Sequence, residues 1–244
     1  MNSNSSSEGA RWFLLLQMND ALFPIGAFAH SYGVETYIQK RLVHDAPSAA
    51  QYLRANLEQS FLYGDLLCAA LAWDCGIIRD IPGLINLEVL VRASKAPSEI
   101  RDAAHKLGSR FIKTVTALLP EAGSDSSGTV PFLAEYSSVL AKTGAFPSHA
   151  AAYGVCCGAL NIPKARSLRA FLYAQSSAMV TCCVKTIPLS QTAGQRLLTG
   201  LFGCMGCLLE ATESLTADDL YRTCPGFDLR CMEHETLYSR LFMS

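Results

Sequence analysis

Pro97-Ser-Glu-Ile-Arg-Asp-Ala-Ala-His-Lys-Leu-Gly-Ser-Arg-Phe-Ile-Lys-Thr-Val-Thr-Ala-Leu-Leu-Pro120 is the stretch that decides the fold class. Its apolar positions Ile100, Ala104, Leu107, Phe111, Val115 and Leu118 recur in steps of three and four, which places them on one stripe of a helix. Ser98 can cap the free amides at the start, Glu99 suits the positive end of the dipole, and Pro120 stops the helix. The same period runs from Ser48 to Trp73, with Leu53, Leu57, Phe61 and Leu71 inward and Gly76 and Pro82 beyond the end. Further helices are expected over 11–19, 31–41, 84–94, 132–143, 149–160, 167–185 and 192–213. Pro47, Pro82, Pro147 and Pro163 supply breaks, because proline disfavours helix in the residue before it. No convincing alternating strand pattern is found. The reading is all-α: a single-domain bundle of about nine or ten helices, with a mobile C-terminal arm and tail.

The chain divides accordingly. Residues 1–10 are Ser- and Asn-rich and are expected to be disordered; 11–213 form the helical body; 214–244 form an irregular arm and a docking tail. Residues 120–131 read as a surface loop. Gly200, Gly203 and Gly206 recur every third residue, each costing about 1 kcal/mol in a helix interior relative to alanine. The expected compensation is close approach of the preceding helix through Ala178, Cys182 and Cys183.

Composition excludes several function classes. Of 244 residues half are apolar and 17% are charged, at a net charge of −1. Such a chain buries a core, and it lacks the basic footprint of a nucleic-acid binder. The surplus of apolar residues points to a large interface and to partners. No secretory signal is visible and no run reaches the roughly 17–25 apolar residues of a membrane helix. The default is a cytoplasmic protein without a membrane or nucleic-acid role. Ten cysteines in such a compartment read as buried thiols, and Cys204-Met-Gly-Cys207 is the single CxxC, without the second pair of a zinc site. Metal ligands therefore stay unassigned. His234 and Glu235 do not open an HExxH, because position 238 is Tyr238. No nucleophile elbow or phosphate loop occurs, so no catalytic residue is assigned. The rival readings are a small all-α enzyme with a Cys/His site and a helical scaffold with other partners.

Two segments mix apolar and charged side chains in the manner of docking surfaces. Asp20-Ala-Leu-Phe-Pro-Ile-Gly-Ala-Phe-Ala-His-Ser-Tyr-Gly-Val-Glu35 places His30, Ser31, Tyr32 and Glu35 after a tight turn. Glu233-His-Glu-Thr-Leu-Tyr-Ser-Arg-Leu-Phe-Met-Ser244 gathers His234, Glu235, Tyr238, Arg240, Leu241 and Phe242. Each has a plainer reading: His30 and Ser31 steady the turn, and Arg240 caps carbonyls. Lys106, Arg110 and Lys113 form a basic stripe, read as a solvated face with an acidic partner as the alternative.

These segments resemble the two ends of the UreF family of urease accessory proteins, "LPIGAFSHSYGLE" near the start and "RHETLYSRLFRS" at the close. Ile187-Pro-Leu-Ser-Gln191 with Gly194-Gln195-Arg196 is similar to the family's "PLGQ…GQ" segment. The departures are Phe23 for Leu, Ala29 for Ser, Val34 for Leu, Ser190 for Gly, Glu233 for Arg and Met243 for Arg. The resemblance adds Lys185, Gln191 and Gln195 to the candidate partner contacts. It implies a non-enzymatic chaperone that forms a homodimer, bridges UreD (UreH) and the GTPase UreG, and assists GTP-dependent nickel insertion into apo-urease. It implies no permanently bound cofactor, only transient nickel in the complex. Arg240 and Lys185 are candidates to act in trans on the GTPase.

Overall fold

The computed structural model describes residues 3–120, 128–222 and 224–244. The first element, α1 (Ser3–Met18), already covers residues 3–10, which were expected to be disordered, and α2 (Val34–Gln39) follows. Next, α3 (Ala46–Asn56) runs through a π-helical stretch, Leu57–Leu66, into α4 (Leu67–Ile78). Then come α5 (Ile81–Ser94), α6 (Ser98–Leu118), α7 (Thr129–Lys142), α8 (His149–Ala159), α9 (Lys164–Thr186), α10 (Gln191–Gly200), α11 (Phe202–Thr212) and α12 (Pro225–Glu233). Among the described residues no strand occurs, and the fold is all-α. Of the loop expected over 120–131, residues 121–127 lie outside the described residues.

Local chemistry sets the starts. Asp45 accepts the Ser48 N–H at 2.9 Å and makes a reciprocal capping box with Ser48, so α3 starts ahead of Ser48. Asp80 accepts the Gly83 N–H at 2.9 Å and opens α5, with Pro82 in its first turn. On α6 the stripe Ile100, Ala104, Leu107, Phe111 and Val115 is buried, as the period requires, whereas Leu118, expected with them, is only partly buried and Leu119 is buried beside it. Its N-cap is Pro97, not Ser98, whose hydroxyl is used elsewhere.

The centre of the bundle is α4 against α8. Every residue from His149 to Gly158 is buried. A Cβ at Gly76 would come within 2.6 Å of the Val155 carbonyl oxygen. One at Gly154 would meet the Ala69 carbonyl oxygen, and one at Gly158 the Trp73 carbonyl oxygen. Three bare positions thus let two backbones touch, and α6 crosses nearby with Gly108 against Pro147. The continuous helix Ala46–Ile78 is long and apolar enough to cross a membrane, with mean hydropathy 1.5, yet half of its most apolar window is buried inside the molecule, where it packs on α8.

Three expectations are corrected. Gly200, Gly203 and Gly206 have open space where a Cβ would stand, so among the described residues no helix approaches them closely. The helix expected over 192–213 breaks at Leu201, directly after Gly200, into α10 and α11. The helix expected over 31–41 shrinks to Val34–Gln39, because Tyr32 (φ 51°) and Gly33 (φ 86°) are left-handed. The arm expected to be irregular carries a 3-10 turn, Ala217–Asp219, and then α12, which starts at Pro225, so that expectation is corrected as well, and the arm is clamped to the body. Tyr63 in the π-helical stretch accepts the Tyr221 N–H at 2.6 Å through its carbonyl oxygen. The Tyr221 ring lies under the Lys95 ammonium, which pairs with Asp65 at 2.8 Å.

A docked tail as candidate partner site

After α12 a 3-10 turn (His234–Thr236) leads into an extended end, so the tail is not helical at Tyr238. Its side chains alternate, with Leu241 and Met243 exposed and Phe242 and Ser244 buried, the period of an extended chain. The main chain pairs with the segment before α2. Met243 N–H donates to the Ala29 carbonyl oxygen at 2.8 Å, and the Ser31 and Tyr32 N–H groups donate to the Ser244 oxygen at 2.6 and 3.1 Å. The Ser31 hydroxyl adds a bond to the same oxygen at 2.7 Å, and His30 Nδ1 lies 2.8 Å from the Ser244 hydroxyl. These bonds explain the late start of α2, since the amides of Ser31 and Tyr32 serve the tail.

Glu35 is the organising group. Its carboxylate accepts the Leu241 N–H at 2.6 Å and the Phe242 N–H at 3.1 Å, and lies 3.1 Å from His234 Nε2. His234, with no exposed surface, also places Nδ1 2.6 Å from Glu99. Each ring nitrogen of His234 thus faces a carboxylate. Glu99 further pairs with Arg240 at 2.6 Å, and Ser98 donates its hydroxyl to Glu235 at 2.5 Å. Phe242 enters the core, a burial worth roughly 2–3 kcal/mol. Gly33 completes the fit, since a Cβ there would lie 2.5 Å from Cys231 Sγ. Burial and then the charges of Lys106 and Arg110 hold His30 below its usual proton affinity.

The candidate residues therefore divide. His30, Ser31, Tyr32 and Glu35 meet His234, Arg240, Leu241 and Phe242 in one cluster. Within it His30, Ser31, Glu35, His234 and Phe242 are buried. Expected as partner contacts, they have little surface to present, and they anchor the tail instead. Tyr238, Leu241 and Met243 are exposed side chains on or beside a main chain that is held at Ser239, Leu241 and Met243. Lys185 borders the cluster: it lies three residues after Cys182, whose thiol sits 3.6 Å from the His30 carbonyl oxygen. Gln191 and Gln195 are exposed one turn apart on α10, outside the cluster. Glu99 was not among the candidates, because at the start of a helix it reads locally as a dipole partner. Two departures find explanations here. Glu233 pairs with Arg230 at 2.7 Å and Lys40 at 3.2 Å, and Met243 points to solvent.

All ten cysteines are free thiols, seven of them buried. Burial pushes Cys182 up to about 12 and Cys183 up to about 11, which suits packing rather than nucleophilic chemistry. Cys204 is buried and Cys207 exposed on α11.

A family model described as UreF matches residues 43–202. The chain belongs to the UreF family. It is similar to the urease accessory protein UreF of Arthrobacter sp. (strain FB24), 33% identical over 239 residues, covering 98% of this chain and all of that relative. The protein of the same description from Haemophilus influenzae is 34% identical over 236 residues, covering 94% of each chain. That from Lachnoclostridium phytofermentans is 30% identical over 230 residues, covering 94% of this chain and 97% of the relative. Membership in the UreF family gives the chain an accessory role in urease maturation and no enzymatic one.

Proposed function

We propose that this chain works in the cytoplasm as a bridging chaperone, holding UreD (UreH) on one face and the GTPase UreG on another during GTP-dependent nickel delivery to apo-urease. The observation that supports this reading is the docked tail. A clamp of buried Glu35 and His234 with half-buried Glu99 fixes an extended segment whose side chains Tyr238, Leu241 and Met243 are exposed. Apolar side chains carried on a held main chain bind with less loss of backbone freedom than those on a mobile one. Nickel is cargo in this scheme, and its contacts are assigned to the assembled complex, with ligands shared with a partner. Of the two cations considered for action on UreG, Arg240 is compensated by Glu99, which leaves Lys185 as the freer group.

A second face supports the homodimer. A groove of about 770 Å³ between α4, α9 and α11 is lined by Leu71, Leu168, Leu172, Tyr173, Phe202 and Met205. Tyr173 and Phe202 are half exposed with ring centroids 6.5 Å apart, beside the bare Gly203 and Gly206. A second copy laid across the groove offers the helix approach that those glycines lack within one chain. Sedimentation of Phe202→Glu is expected to give monomer, and an unchanged dimer would remove this face.

The test of the function is co-expression of urease with UreD, UreG and this chain, and again without it. The expected result is nickel-loaded urease only with the chain present. Equal nickel content in both would end the proposal.

A further inference from the structure

Between α5, α6 and the turn before α8 lies a groove of about 580 Å³ that the docked tail does not use. Arg92, Arg101, Lys106 and Arg110 line it around a single carboxylate, Asp102, in a chain whose net charge is −1. Among the described residues none of these four cations is ion-paired with a carboxylate. Two are held by main chain. Arg101 Nη1 donates to the carbonyl oxygens of Lys95 at 2.8 Å and Ala96 at 3.2 Å, and Arg110 Nη1 donates to that of Ile25 at 3.2 Å. His105 Nδ1 lies 2.8 Å from the Phe146 carbonyl oxygen, tying the turn to α6, and the Phe146 ring is 54% exposed.

Four cations held together repel one another, and an anionic ligand relieves that repulsion. Guanidiniums already fixed by carbonyls lose little freedom when a ligand arrives. Arg101 and Arg110 are nine residues apart on one helix, about 14 Å at the usual rise. That spread matches carboxylates distributed along an extended chain, at about 3.3 Å per residue, better than a compact phosphate group. The exposed Phe146 adds an apolar contact that a phosphate has no use for. We propose that this groove binds an acidic peptide segment of a partner protein, one with several Asp or Glu residues beside an apolar side chain that meets Phe146.

The test uses the full chain and a fluorescein-labelled, Asp/Glu-rich peptide containing one Leu, with the Asn/Gln version as comparison. Anisotropy is expected to show binding of the acidic peptide only, weakening as salt is raised. Arg92→Glu with Lys106→Glu should weaken it at least about tenfold, whereas Arg54→Glu, on the exposed face of α3, should not. Arg92→Gln with Lys106→Gln repeats the comparison should the reversed pair fold poorly. Equal binding of the two peptides, or unchanged binding by both double variants, would overturn the proposal. Complete displacement by inorganic pyrophosphate at matched ionic strength would overturn it too, by assigning the groove to phosphate compounds.

Discussion

The α4–α8 pair and the docked tail are both contacts between segments distant in sequence, and they are built in opposite ways. The helix pair is dry. Gly76, Gly154 and Gly158 remove side chains so that backbones approach, and Ala69 and Ala72 fill what remains. The tail contact is polar. Glu35, Glu99, His234 and the amides of Leu241 and Phe242 satisfy one another in a site closed by Phe242. A dry contact depends on shape and fails when volume is added. A buried polar contact depends on completeness and fails when one member is removed, because the remaining groups stay desolvated and unpaired.

That contrast is broken or sharpened by four substitutions. Gly154→Val puts a branched side chain onto the Ala69 carbonyl and should cost more than about 4 kcal/mol in urea denaturation. A loss below about 1 kcal/mol would mean that the two helices can part without penalty. Glu35→Gln removes the organising charge and should cost about 3 kcal/mol, confined to the tail. Hydrogen exchange on the isolated chain is the measurement: the amides of Leu241, Phe242 and Met243 should be protected in the parent and fast in the variant, with α4 and α8 unchanged. This experiment also decides how mobile the arm and tail are before any partner binds.

The third test is pH. Burial between Phe111 and Phe171 holds His149 down to about 4. The unfolded chain then binds a proton at a pH where the folded one does not, so this group's stabilisation is full above its unfolded pKa of 6.5 and is lost as pH falls towards 4. By pH 5 the loss is about 2 kcal/mol. Burial raises Glu88, whose contribution has the opposite sign, so the difference between parent and His149→Gln isolates the histidine. The variant should show a flatter acid limb, and parallel limbs would contradict the assignment. The smallest effect belongs to Gly203→Ala, which meets open space and should gain up to about 1 kcal/mol in the isolated chain.

Helix α6 was legible because its stripe repeats over many residues and its partners are all on one side. The glycines were not. Gly200, Gly203 and Gly206 are neighbours in sequence and look like a contact, whereas the working set, Gly76, Gly154 and Gly158, is split between two elements that only the fold brings together. The π-helical stretch was hidden for a related reason, since its residues continue an apolar run that the helical period already claims. Both halves of the tail contact were visible as unusual mixtures of charged and apolar residues. Their roles were not, because burial decides whether His234 or Tyr238 meets a partner, and spacing says nothing of burial. Arg92 and Arg101 escaped the reading of the basic stripe because they reach the same groove from a different helix and a different turn.

The outward side of the docked tail is, in the proposed function, the surface that partners use. The most direct test of that role is the nickel content of urease matured with a Tyr238→Ala/Leu241→Ala version of this chain. Both side chains are exposed, so the thermal midpoint should stay that of the parent. Loss of partner capture and nickel-poor urease are the expected results; full nickel loading by that folded variant would contradict this role for the tail.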